Sequence, residues 1–279
     1  MNLEKKRIRR FFLCVLSVLM FTVSGGSAYT VQTVCAATDK ENGWVKESSG
    51  EVYYYKKGEI VKNKLLTLGN NVYYVDKKGK RYSGWKNIKG KTYYFREDGK
   101  AYKGWMSVKD TWYYFSEQSA YMQKDILLVS GSGKVYLFDK EGKLCKGWCQ
   151  YKGKSYYIGS NGYALKGVYK IDGKYYCFDT KSAYLYKDKL VTMTSGNIYY
   201  FDNKGVRFNK GWKNVRNNGK VGTYYFQTNG TACKGWLKKD GKWYYFNKKT
   251  GIMYKNKTVT TSSGKKYIFN SKGICTNKK

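Results

Sequence analysis

The chain has 279 residues with no histidine and no proline, and 54 basic residues against 19 acidic ones give a formal charge of +35. Gly (31), Tyr (31), Phe (12) and Trp (8) dominate, so aromatics reach 18% of a sequence that is also 26% charged. This excludes an ordinary helical or doubly wound enzyme and removes the histidine used by most hydrolase and metal-site chemistry; so large a positive field points to a polyanion or an anionic surface as partner.

At the start of the chain, Lys5, Lys6, Arg7, Arg9 and Arg10 precede an apolar run from Phe11 to Val23, and small residues then lead to Cys35, Ala36 and Ala37. A basic head, an apolar core and a small-residue end read as a secretory signal peptide over residues 1–37. The apolar run is shorter than the roughly 20 residues that a bilayer-spanning helix needs, so no transmembrane segment is expected once the signal is cut. Cys35 follows Val34 rather than a small residue, which disfavours a lipoprotein attachment site. Cleavage after Ala37 takes away five basic residues and one acidic residue, and the exported remainder stays strongly basic. A short linker, 38–42, leads into an array that runs from Gly43 to Lys279.

The array is legible as a repeat. Gly-Trp recurs at Trp44, Trp85, Trp105, Trp148, Trp212 and Trp236, each time followed by a Tyr-rich block. The short unit is about 20 residues, as in Gly84–Lys103 and Gly147–Lys166. A longer period is superposed: Gly84, Gly147 and Gly211 open equivalent triplets 63 and 64 residues apart, each ending in a unit without Gly-Trp. About eleven units fit the span.

Within a unit the apolar pattern has period 2 around a turn signal, which predicts a β-hairpin and leaves no room for a helix. In the stretch from Gly235 to Phe246, Asp240-Gly241 suits a two-residue type I′ loop. Counting outward from it pairs Lys239 with Lys242, Lys238 with Trp243, Leu237 with Tyr244 and Trp236 with Tyr245. Trp236, Trp243 and Tyr245 then share one side of the ribbon, while Leu237, Tyr244 and Phe246 share the other. Asp172-Gly173 and Lys109-Asp110 fill the same turn. A lone hairpin is marginal in water, so the predicted fold is all-β, a solenoid of stacked hairpins that bury their apolar edges against their neighbours.

The acidic residues do not form a catalytic pair. Asp76, Asp139, Asp179 and Asp202 follow the Tyr/Phe block, and Asn247, Asn270, Ser116 and Gln227 take the same slot elsewhere, which is the behaviour of a turn former. No nucleophile with a nearby base can be named, so no catalytic residue and no enzymatic activity are expected. Five cysteines lie beyond the signal: Cys145, Cys149, Cys177, Cys233 and Cys275. Export permits disulfides, and Cys145 and Cys149 are close enough in sequence to consider one, but their counterparts in other units are ordinary residues and small apolar fillers are the favoured reading. Without histidine or paired CxxC motifs, neither a metal site nor a cofactor is expected.

The recurrence of Gly-Trp, an aromatic seven residues on, Tyr-Tyr-Phe and a Gly turn resembles the cell-wall-binding repeats, of choline-binding or glucan-binding type, of Gram-positive surface proteins. The resemblance spans Gly43 to Lys279. It implies ligand sites in the grooves between successive hairpins, where two tryptophans of one unit and an aromatic of the next enclose a quaternary ammonium. Physics supports that chemistry independently: such a group makes no conventional hydrogen bond and is held by aromatic faces, at about 0.5 to 2 kcal/mol per contact. Two units carry both tryptophans, Trp105 with Trp112 and Trp236 with Trp243. The family pattern would add Tyr136 and Tyr267 as third walls, with Met122 and Met253 placed to close the cavities. Elsewhere Val52, Thr92, Ser155 and Thr223 replace the second Trp, and the unit at Gly167 has Val168 and Tyr175. The single tryptophans at 44, 85, 148 and 212 read first as ladder packing; the two pairs suit binding or packing equally.

The expected protein is therefore secreted and wall-associated, with cages for the choline of teichoic acid. Lysines such as Lys56, Lys57, Lys77, Lys78, Lys238 and Lys239 would draw its phosphates. The alternative is an adhesin or toxin-like array whose rings stack on a host or wall glycan. Basic residues interleaved with aromatics also suit single-stranded nucleic acid, but export argues against a specific nucleic-acid partner, and only salt-sensitive nonspecific attraction is expected.

Overall fold

The structure, a computed structural model, describes residues 42–217 and 219–278; the expected signal peptide and nearly all of the linker lie outside the described residues. Every regular element among the described residues is a β-strand. The strands form eleven separate antiparallel sheets, ten of two strands and the first of three. No helix of the described residues is long and apolar enough to cross a membrane.

Hairpin register follows from turn chemistry. Asp240 (φ 49°) and Gly241 (φ 70°) both take positive φ, the requirement of a type I′ loop, and the pairing runs Lys239 with Lys242, Lys238 with Trp243, Leu237 with Tyr244 and Trp236 with Tyr245. Asp172-Gly173 behaves alike, and Lys109-Asp110 adopts the same conformation without any glycine, at φ 47° and 59°. Each strand that begins with Gly-Trp has its glycine at positive φ, such as Gly104 at 82° and Gly211 at 115°. The Gly167-Val168 unit keeps the glycine, at φ 90°, and the four units without it solve the same entry with Asn63, Asp125, Asp188 and Asn256, all at φ 45–48°, because Asn and Asp tolerate the left-handed region better than other side chains. Their backbone N–H groups donate to Asp76, Asp139, Asp202 and Asn270 carbonyls at 2.7–3.0 Å.

The hairpins stack because each ribbon has two apolar faces. The Gly235–Phe246 hairpin illustrates this: Leu237, Tyr244 and Phe246 pack with Tyr225 and Cys233 of the preceding unit, while Trp236, Trp243 and Tyr245 pack with Tyr267, Phe269 and Cys275 of the following one. At the end of the second strand a column of residues is fully buried, including Phe95, Phe115, Phe138, Phe178, Phe201, Phe226 and Phe246. Backbone joins the units as well. After each turn one N–H donates to the preceding unit, at the carbonyl of the residue in the second-tryptophan place: Met122 to Thr92 (2.7 Å), Leu144 to Trp112 (2.8 Å), Cys275 to Trp243 (2.8 Å). The bond recurs at all ten seams of the eleven-unit stack. The position that in two units carries an indole is thus anchored through its backbone everywhere, whatever its side chain.

Candidate aromatic sites between hairpins

The seam geometry starts from strand pleat. Trp105 and Trp112 lie on facing strands, Trp105 paired with Tyr114 and Trp112 with Ser107, so both indoles leave the ribbon on one face. Their ring centroids are 6.3 Å apart with planes at 75°. Tyr136 of the next unit stands 4.9 Å from Trp105 at 60°. Trp236 and Trp243 repeat this at 6.1 Å and 87°, with Tyr267 at 4.7 Å and 69° from Trp236. The structure therefore brings together the three rings named from the sequence at both places, as mutually steep walls.

The methionines are placed differently from the sequence expectation. Met122 packs with Phe115, Tyr94 and Tyr102, and Met253 packs with Cys233, Phe246 and Tyr225. Their N–H groups bond to Thr92 and Thr223, so each sits one seam earlier, at the Trp85 and Trp212 seams. The equivalent residues at the two cages are Leu144 and Cys275, bonded to Trp112 and Trp243. The reason is the strand reversal: the residue after a turn packs back against the unit before it. Leu144 joins Trp105, Trp112, Lys146 and Asn161 in lining a cleft of about 780 Å³.

The two cages differ in what fills them. The Lys278 ammonium lies 4.6 Å from the Trp236 ring, 4.5 Å from Trp243 and 5.6 Å from Tyr267. Arginines occupy two further seams. The Arg207 guanidinium lies 3.9 Å from Tyr175 and 5.4 Å from Tyr199, the rings that take the second and third wall positions in the Val168 unit. Arg81 lies 5.9 Å from Trp44. These resident cations are what aromatic faces attract. At the Trp105 cage, Trp112 stays 44% exposed, and the cleft beside it is open. The sequence signal for resident cations is a basic residue in the place of Met122, met at Arg81 and Arg207.

The single tryptophans do not form a closed ladder. Trp85, Trp148 and Trp212 each rest on a phenylalanine of the next unit at 5.9 Å, yet remain 41%, 43% and 40% exposed. Packing covers one side of each indole and leaves the rest in solvent. Trp44 is half-buried and contacts Tyr54 and Tyr73.

The carboxylates behave as turn formers. Asp76 accepts from the amides of Lys78 and Lys80, Asp139 from those of Glu141 and Lys143, and Asp202 from those of Lys204 and Val206. The Ser182 hydroxyl and amide, with the Tyr186 hydroxyl, hold the Asp179 carboxyl below its ordinary range. Asn247 and Asn270 make the same amide contacts. All five described cysteines are free thiols, with Cys177, Cys233 and Cys275 buried in the core and Cys145 and Cys149 half-buried. Burial pushes the Cys149 thiol up to about 12. The described residues contain no group of three or more His, Cys, Asp or Glu able to hold a metal.

Comparison with known proteins agrees with this geometry. Residues 82–125 and 209–258 match the family described as choline-binding repeat, and residues 146–164 and 193–206 match the putative cell wall binding repeat. The first span contains the Trp105 and Trp112 pair, the second the Trp236 and Trp243 pair. Glucosyltransferase-I of Streptococcus downei is 32% identical over 118 residues, 41% of this chain and 7% of that protein. Glucosyltransferase-S of Streptococcus mutans serotype c is 32% identical over 117 residues, 41% of this chain and 8% of that protein. The chain thus matches under a tenth of the length of these curated relatives. Among solved structures, CbpJ from Streptococcus pneumoniae TIGR4 superposes with a TM-score of 0.59 at 23% identity, covering 84% of this chain and 93% of that one. The modular autolysin LytC from Streptococcus pneumoniae, solved with a synthetic peptidoglycan ligand, gives a TM-score of 0.56 at 21% identity, covering 77% of this chain and 47% of that one. The fold is shared with both, and the matched segments carry the pattern of choline-binding and cell wall binding repeats.

Proposed function

We propose that this array of cell-wall-binding repeats is an exported, noncatalytic attachment protein that holds the choline groups of a teichoic acid in aromatic cages, above all the cage of Trp105, Trp112 and Tyr136. The observation that carries the reading is the occupant of the sister cage: an ammonium already rests 4.5 to 5.6 Å from three rings there. A trimethylammonium has the same charge, a larger apolar surface and less water to lose, so it suits such walls better than lysine does. The net positive charge repels free choline but attracts phosphocholine along a phosphate backbone, and several weak sites on one chain raise the effective affinity for a polymer. Exposed lysines such as Lys56, Lys77 and Lys238 would meet those phosphates.

The test is a titration of intrinsic tryptophan fluorescence with choline in the native chain and in Trp112→Ala. The native protein is expected to saturate, and the variant to lose the response of the open cage while keeping its β-sheet circular dichroism. No saturable change in the native chain would remove choline as the ligand. A glycan ligand is the second reading, favoured by the half-exposed indoles at Trp85, Trp148 and Trp212 and by matches to proteins named glucosyltransferases; soluble oligosaccharide rather than choline would then release the protein from its surface.

A further inference from the structure

The five described thiols are of two kinds. Cys177, Cys233 and Cys275 are buried in three different hairpins, and Cys233 and Cys275 fill separate clusters with Phe246 and with Phe269. Cys145 and Cys149 are half-buried and pack against one cluster, beside Leu137 and Tyr156. The Cys145 amide donates to the Leu137 carbonyl at 2.8 Å, and Cys149 pairs with Tyr156 across the hairpin. Cys149 Sγ lies 3.7 Å from the Lys146 carbonyl oxygen and 3.5 Å from that of Gly147. It is thus turned back over the segment that starts at Cys145, and its thiol hydrogen-bonds to the Cys145 sulfur.

The repeat itself imposes this contact. The place of Cys145 is taken in other units by Tyr82, Tyr102, Phe208 and Cys233, whose amides return to Tyr74, Tyr94, Tyr200 and Tyr225. The place of Cys149, directly after the tryptophan, is taken by Lys86, Met106, Lys213 and Leu237. In each of these units the two positions meet. Lys86 Nζ stands 5.1 Å from the Tyr82 ring and Lys213 Nζ 5.7 Å from the Phe208 ring; Met106 shares a cluster with Tyr102, and Leu237 with Cys233. Among the described units, only the one at Gly147 has cysteine at both. A crosslink there joins positions that the fold already holds together.

We propose that Cys145 and Cys149 are a modification site, a dithiol that a low-molecular-weight disulfide converts into an intramolecular bridge. The Cys145 thiolate attacks one sulfur of the reagent, forming a mixed disulfide and releasing one thiolate. Cys149 then gives up its proton and attacks the Cys145 sulfur, releasing the second thiolate. The two protons lost by the cysteines end on the two departing thiols, so the protein is oxidised by two electrons and the reagent reduced by two. Cys145 leads because the hydrogen bond from Cys149 favours its thiolate. Burial raises both thiols, so ionisation does not stabilise the reduced pair, and the bridge forms slowly and lasts. It also fastens one wall of the open cleft: the Leu144 amide donates to the Trp112 carbonyl, and Leu144, Lys146 and Gly147 line the cleft with Trp105 and Trp112. Such oxidants meet an exported chain, so the occurrence of the bridge in the organism rests on the export proposed above, whereas its chemistry does not.

The test incubates the whole reduced chain with oxidised glutathione, quenches with acid, and alkylates the denatured protein with N-ethylmaleimide before trypsin digestion and mass spectrometry. Because Lys146 separates the two cysteines, the bridge appears as a covalent pair of peptides, 144–146 with 147–152. The expected result is this pair, with Cys177, Cys233 and Cys275 recovered as alkylated thiols, and a rate of formation that rises about tenfold between pH 7 and pH 8. Cys149→Ser should stop at a glutathione adduct on Cys145. In the bridged chain the Leu144 and Cys145 amides should exchange with deuterium about tenfold or more slowly than in the reduced chain, the effect of closing a small loop. A glutathione adduct on the native chain that never resolves to the bridge, bridging spread over the other cysteines, or unchanged amide exchange would overturn the inference. A chain that ignores choline yet yields the peptide pair removes the proposed cage function instead and leaves this site standing.

Discussion

The Lys278 ammonium sits 4.5 Å from the centroid of the Trp243 ring, so the chain supplies one of its two cages with a cation of its own. Trp243 and Trp236 are correspondingly half-buried, whereas Trp112 in the sister cage is 44% exposed.

A tethered cation competes with a soluble one. Lys278→Ala is expected to tighten choline binding at the Trp236 cage by about two- to fivefold, the equivalent of ~0.5 to 1 kcal/mol for an exposed cation–aromatic contact. Isothermal titration calorimetry on native and variant chains checks this. Equal affinity and stoichiometry in the two would mean that the lysine does not hold the cage against choline.

Phe178 is fully buried between Ile171 and Leu185, with Trp148 of the preceding unit at 5.9 Å. Phe178→Ala removes the packing on both sides of one seam and is expected to cost about 3–5 kcal/mol. Because units in such arrays support one another through their neighbours, the loss should divide the stack, and guanidinium unfolding followed by circular dichroism should show two transitions. A single transition with an unmoved midpoint is the contrary result.

Lys109 and Asp110 form a type I′ loop with no glycine. An L side chain at positive φ costs roughly 1 kcal/mol relative to glycine, and the equivalent loops at Asp172-Gly173 and Asp240-Gly241 have glycine second. Asp110→Gly should therefore stabilise the chain, by about 0.5 to 1 kcal/mol after the added freedom of the unfolded state is counted. A fall in the midpoint of chemical unfolding would contradict this reading of the turn.

Burial pushes the Cys149 thiol up to about 12. At pH 8 its thiolate fraction is then roughly a thousandfold below that of an ordinary cysteine. Iodoacetamide labelling read by peptide mass spectrometry should find Cys149 nearly inert at pH 8, with its rate rising about tenfold per pH unit above it. Fast alkylation at pH 8 would place the thiol in solvent.

Much of the architecture was legible in the residues because hairpins are local. Asp240-Gly241 determines the loop, the loop determines the register, and pairing Trp236 with Tyr245 and Lys238 with Trp243 follows by counting. The carboxylates were legible for the same reason: Asp139 reaches amides only two and four residues away. The three rings of each cage could be named because the repeat carries them at fixed spacing.

What counting could not supply is the relation between units. Met122 follows Trp105 in the chain, yet it closes the seam before it, since a strand end after a turn runs back against the preceding ribbon. Lys278 is an ordinary basic residue in a chain with 54 of them, and only the stacking sets it against Trp243. Sequence by itself determined the hairpin, its turn and the face each ring occupies, because these depend on alternation and on a few positive φ angles. The tertiary structure decided which rings keep an open surface and which are already capped by a cation, because that depends on what the neighbouring hairpin places across the seam.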